Sequence, residues 1–152
     1  MRNYLAILFC AAILSLGANT NDAVARDGVY RSVAIDTSRI AASGHRHLAN
    51  TLKPMLAGEL SKALGPRLGH RGGQLVVRIT RIDLGSYGGE SATDGWIEDS
   101  IEGVVMVPGR GPIPIRVVLP PDTGGAWYAK NVGERRIYRL IEAFAHWAAR
   151  EA

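Results

Sequence analysis

Cysteine is all but missing from this sequence. Its single copy, Cys10, lies inside an apolar stretch near the N-terminus. Aromatic residues are scarce too, at 7 %, so no aromatic-rich platform for stacking RNA bases is present, and no recognised DNA-binding motif occurs. Long runs of one charge are absent, and the formal net charge is only +4. Motifs that carry chemistry are missing as well. No G-x-S-x-G, P-loop, dinucleotide fingerprint or H-E-x-x-H is found, so no catalytic residue, cofactor or metal is assigned. The only long apolar run, Leu5 to Leu16, is too short for a bilayer, which needs about 20 such residues.

That run reads instead as the hydrophobic region of a secretory signal. Arg2 supplies the positive start, and Ala23-Val24-Ala25 supplies the small-x-small pattern of a cleavage site. Cleavage is expected after Ala25, with Ala18 as the second choice. Residues 1–25 are therefore read as a signal peptide and 26–152 as one globular domain. Cys10 follows Phe9 within the apolar run, which does not suit a lipidation site. The mature chain would then hold no cysteine, which excludes disulfides, thiol catalysis and thiolate metal ligation. It would also carry no stable membrane span. Its mild basicity suits an anionic partner such as a membrane surface, or simply solvated charge.

The remaining chain alternates between two periods. Val29 to Asp36 reads as a strand, with Val29, Val33 and Ile35 on one face and Tyr30, Ser32 and Ala34 on the other. Asp36, Thr37 and Ser38 break it. Leu48, Leu52, Met55, Leu56, Leu60 and Leu64 form a helical stripe from about His45 to Leu64, with Pro54 kinking the helix and Gly65-Pro66 stopping it. Strands follow at Gln74–Leu84, Trp96–Val107 and Ile113–Leu119, the first two separated by the small, polar segment 85–95. Pro114 places the last strand at a sheet edge. Asn131 and Glu134 form an N-x-x-E capping pattern. Ile137, Leu140, Ile141, Phe144 and Ala148 then mark the buried face of a final helix. Pairing of the two central strands is expected to set Arg78 opposite Glu102, Thr80 opposite Ser100 and Arg81 opposite Asp99, matching opposite charges.

The order β-α-β-β-β-α implies an α+β two-layer sandwich. Its four-stranded sheet is mostly antiparallel, the first two strands are parallel neighbours, and two helices lie on one face. In this order the segments Val33-Ala34-Ile35-Asp36, Leu52 to Leu64, Leu75 to Ile82 and Ile137 to Ala149 resemble small periplasmic domains of bacterial envelope accessory proteins, of the curli-secretion and TolB N-terminal type. The resemblance implies an exported, non-catalytic binding or accessory module with an envelope protein or anionic envelope component as partner. It brings no catalytic residues with it.

Candidate contact residues follow from residue type. Tyr87, Trp96, Trp127 and Tyr128 lie near loops and suit partner contacts, or the edge of the core. Arg67 and Arg71 belong to one basic cluster with His70, Arg78 and Arg81, and Arg135 and Arg136 to another with Arg139. Converging, they would hold phosphate or carboxylate groups. Asp122-Thr123-Gly124 has the aspartic-protease triplet, but Pro120-Pro121 precede it, where a turn is the simpler reading. The alternative function is a small secreted hydrolase assembled only in three dimensions. It would need His70 or His146 to meet Asp36, Asp83 or Glu102 in a concave site.

Overall fold

A computed structural model describes residues 30–85, 98–126 and 128–152. The expected signal peptide, Val29, most of the polar segment after Gly85, and Tyr87, Trp96 and Trp127 lie outside the described residues. The alternating segments form strands β1 (Tyr30–Asp36), β2 (Gly73–Asp83), β3 (Asp99–Met106) and β4 (Pro112–Leu119). The periodic segments form helices α2 (Arg46–Leu64) and α3 (Val132–Glu151), and a short helix α1 (Ser38–Ala42) precedes α2. The sheet order is β1-β2-β3-β4. β1 and β2 are parallel, and both other pairings are antiparallel. The helices pack on one face, giving the α+β sandwich expected from the element order.

The core lies between that face and the helices. Leu52, Leu56, Leu60 and Leu64 of α2 meet Leu140, Ile141 and Phe144 of α3 over Leu75, Val77, Ile79, Ile101 and Val105. Phe144 packs where β3 has no side chain: a Cβ on Gly103 would lie 2.7 Å from its ring and 2.6 Å from the Arg78 carbonyl. Pro54 does not divide α2. Asn50, whose carbonyl loses its helical donor there, is on the solvent side, where water replaces the bond.

Four expectations at finer scale are corrected. Asp36-Thr37-Ser38 is not only a break. The Asp36 carboxylate accepts the Ser38 N–H at 2.9 Å, which starts α1, and Ile40 buries that helix. Tyr30 does not share the face of Ser32 and Ala34. The register shifts between Tyr30 and Ser32, turning Tyr30 into the core at 2 % exposure. The central pairing is displaced too, so Arg78 opposes Val104, Arg81 opposes Glu102 and Asp83 opposes Ser100. The cause is an irregularity between Ile79 and Arg81. Leu75, Val77 and Ile79 alternate in one phase, Ile82 and Leu84 in the other, and an extra residue at Thr80 puts both sets on the helix side. Lastly, Asn131 occupies the N-cap position of α3 without capping it. Its backbone is left-handed (φ 60°) and its side chain makes no cap bond, so the capping box is not formed.

Candidate functional site

Strand direction brings the connections of this fold together at one end. β4 is antiparallel to β3, which is antiparallel to β2, so β1, β2 and β4 all point the same way. α2 and α3 lie side by side in the opposite direction. The first turns of both line one cavity, Glu59 meets Tyr138 at 3.1 Å, and Arg67 just beyond α2 reaches the end of α3. Three strands therefore finish, and two long helices begin, at one end of the molecule. Helix starts present unpaired N–H groups and a partial positive charge.

The cavity between these helix starts measures about 500 Å³ and is lined by His47, Leu48, Thr51, Met55, Glu134 and Ile137. That volume is in the range of small-ligand sites. Leu48, Met55 and Ile137 are half-buried and form an apolar floor, while His47, Thr51 and Glu134 are exposed at the rim. Ile137, expected within the core, is instead part of this opening. Basic residues stand beside the lining in sequence, Arg46 opening α2 and Lys130 and Arg135 flanking the start of α3, while the lining itself carries the Glu134 carboxylate.

The expected contact residues divide between this end and the rest of the fold. Tyr128 is here and is 77 % exposed. Arg135 is here as well, donating to the Lys130 carbonyl at 3.4 Å, with its guanidinium 3.6 Å from where a Cβ on Gly125 would be. Arg136 points the other way. It is buried, and its guanidinium clasps the buried carboxylate of Asp99 through two nitrogens, one at 2.7 Å, while also donating to the Gly85 carbonyl. Asp99 in turn accepts the Gly85 N–H at 2.9 Å. With these donors committed inside the fold, Arg136 is not offered beside Arg135. Arg67 bonds the Ala149 carbonyl, so the first basic cluster and the second lie roughly 20 Å apart along α3 at 1.5 Å per residue. Arg71 is exposed in the turn before β2. Arg78 pairs with Asp36 at 2.7 Å and Arg81 with Asp83 at 2.5 Å, both on the sheet face away from the helices. The arginines do not converge.

The Asp99–Arg136 clasp was missed in the sequence, although its signal was there. Asp99 has the same strand parity as Ile101, Val105 and Val107, so it stands on the apolar face and demands a buried cation. The Asp122 triplet belongs to the same arrangement. It forms a 3-10 turn, Pro121–Gly124, and a Cβ on Gly124 would lie 2.5 Å from Arg136 Cγ. Gly124 is there to let the arginine pass.

His146 is on α3, beside Glu142 and Trp147, on the helix side of the sheet. Asp36, Asp83 and Glu102 share the strand parity of the opposite face, so the sheet separates them from His146. His70 is exposed in the turn before β2. Among the described residues no three His, Cys, Asp or Glu side chains gather as metal ligands do, and no helix is long and apolar enough to cross a membrane.

No family model and no curated protein matches this chain. Among solved structures it is similar to a candidate lipoprotein from Caulobacter crescentus CB15, with 12 % identity over 84 % of this chain and 86 % of that one. The TM-score is 0.35, a likeness too loose to carry an argument about function.

Proposed function

We propose that this protein is an exported, non-catalytic binding module of the bacterial envelope that holds its partner where α2 and α3 begin. The observation that carries the reading is the apolar-floored cavity of about 500 Å³ between the two helix starts. A floor of Leu48, Met55 and Ile137 takes an apolar group. Arg46, Lys130 and Arg135 near the two helix starts favour an anionic one outside the lining, whose own charge is the Glu134 carboxylate. An envelope protein presenting both, or an anionic envelope component, fits that combination. Tyr128 supplies an exposed aromatic contact at the same end. The export part rests on the Leu5–Leu16 run and the Ala25 site, and the envelope part on the resemblance in element order to curli-secretion and TolB N-terminal domains.

The test fills the cavity from its exposed rim. Immobilised wild-type domain should capture an envelope component that the Thr51→Trp variant does not, with both variants melting at the same temperature. Equal capture by both would remove the cavity from the reading. Turnover of ester, peptide or glycoside substrates by the wild type would replace it with the hydrolase. Export is tested separately, in a Gram-negative host. The product should be periplasmic and begin at Arg26, and a full-length cytoplasmic product would end that part of the proposal.

A further inference from the structure

At the end opposite the cavity the fold gathers cations with little acid among them. Gly69 donates to the Tyr30 carbonyl at 2.9 Å, Arg67 to the Ala149 carbonyl and Arg110 to the Glu151 carbonyl at 3.4 Å. Gly73, at the start of β2, lies against Pro108. These contacts hold the start of β1, the stretch just beyond α2, the turn before β2, the β3–β4 turn and the last turn of α3 side by side. Each brings one arginine: Arg31, Arg67, Arg71, Arg110 and Arg150. All are exposed except Arg67, which is half-buried. Arg67 and Arg110 bond neutral carbonyls, and Arg150 stacks 5.1 Å from the centre of a Trp147 ring, so their charges stay uncompensated. Among the described residues none of the five is paired with a carboxylate, whereas Arg78, Arg81, Arg116, Arg136 and Arg139 each are. The acidic side chain at this end is Glu151, which lines the groove beside β4. The cavity end differs. There Arg46, Lys130 and Arg135 are mixed with Glu98, Asp122 and Glu134.

We propose that this end docks on an anionic membrane surface, with its arginines among the headgroup phosphates. The five come from five separate segments and do not converge on one point, which suits a planar array of anions rather than one enclosed ion. Chain connectivity selects a membrane over a soluble polyanion. β1 starts at this end, so the segment that precedes Tyr30, with its apolar run Leu5 to Leu16, joins the fold here. Residues 17–29 reach at most about 50 Å when fully extended. A membrane that takes up the apolar run therefore tethers the fold by its arginine end and not by its cavity end. Each arginine close to an anionic surface strengthens binding about five-fold. Docked this way, the fold turns its cavity away from the membrane. The two surfaces are separate, and neither depends on the other.

The chain from Arg26 onward contains every described element of the fold and lacks the apolar run. At about 1 mM lipid it should co-sediment with vesicles of about 30 % phosphatidylglycerol in phosphatidylcholine, and stay in solution with phosphatidylcholine alone. Raising salt from about 50 to about 500 mM should release it. Among the described residues the side chains of Arg31 and Arg71 make no hydrogen bond, and that of Arg150 stacks on Trp147. Arg31→Gln, Arg71→Gln and Arg150→Gln combined should therefore leave melting unchanged and lower the partition about 100-fold. Arg46→Gln, Lys130→Gln and Arg135→Gln combined make the same charge change at the cavity end, and should lower it less than about five-fold. Equal losses in the two variants, equal binding to both kinds of vesicle, or no binding overturns the proposal. So does arginine-dependent binding to dextran sulfate without binding to vesicles, which would assign this end to a soluble polyanion.

Discussion

The two faces of the sheet hold their charges in opposite ways. On the open face Asp36–Arg78, Arg81–Asp83 and Glu102–Arg116 form a surface ladder, each partner in contact with water. On the helix face the ion pair among the described residues is Asp99–Arg136, with Asp99 fully buried and Arg136 at 8 % exposure. Water screens the ladder, so any of its members can be lost cheaply. The buried pair has no such relief. Removing one partner leaves the other charged in a medium that cannot solvate it. The same kind of contact is thus nearly dispensable on one face and structural on the other. The buried pair also ties Gly85, at the end of β2, to Asp99, at the start of β3.

The sharpest break in this comparison is at the buried pair. Asp99→Ala or Arg136→Ala should each cost about 3–5 kcal/mol in chemical denaturation. The double replacement Asp99→Leu with Arg136→Met should recover much of that loss, and a double variant no better than either single one would show that Gly85 depends on the charges themselves. Phe144→Ala, at 0 % exposure, gives the apolar benchmark on the same face, about 3–5 kcal/mol. An unchanged midpoint would mean that α3 is peripheral to the fold.

Arg116→Ala tests the other face and should cost less than about 1 kcal/mol. A loss as large as that at Asp99 would erase the distinction. The same face also gives a pH test at Asp36. Hydrogen bonds from Ser38, and then the Arg78 guanidinium, hold its carboxyl at about 2, below the ordinary 3.8. A lowered folded pKa means that the ionised form stabilises the fold. The contribution is complete above about pH 4 and is lost as pH falls through about 2. Acid titration of stability in Asp36→Asn should therefore be flatter than wild type across that window, and identical slopes would remove Asp36 from the ladder.

How much of this was legible beforehand follows from period. The α2 stripe and the Ile137–Ala148 stripe are long enough for periodicity to decide, and the strands β2 to β4 are strongly β-branched, so element order and sheet class could be read directly. Register could not. Each bulge adds one residue that changes the phase, and at Arg31 and Thr80 the change moves Tyr30 inward and Arg81 outward. The second was visible in principle, because Ile79 and Ile82 cannot both be buried in an unbroken alternation. Helix α1 has five residues, too few for a period to show. The cavity was illegible for another reason. Leu48, Met55 and Ile137 look like ordinary core positions until the two helices are placed side by side, where they line a cavity and stay half-buried.

The last turn of α3 is fastened from three directions. Tyr30 donates to the Ala152 carbonyl at 2.5 Å, Arg110 to Glu151 at 3.4 Å, and Arg67 to Ala149. These donors come from the first strand, the β3–β4 turn and the end of α2, and they meet carbonyls that a helix end leaves without partners. The consequence is temporal as well as spatial. A chain emerging residue by residue holds Tyr30 early and has nothing to close it against until more than a hundred further residues have appeared. Before then the hydrophobic stripe of α2 lacks its neighbour. Closure of this end of the fold therefore waits for the last turn of α3.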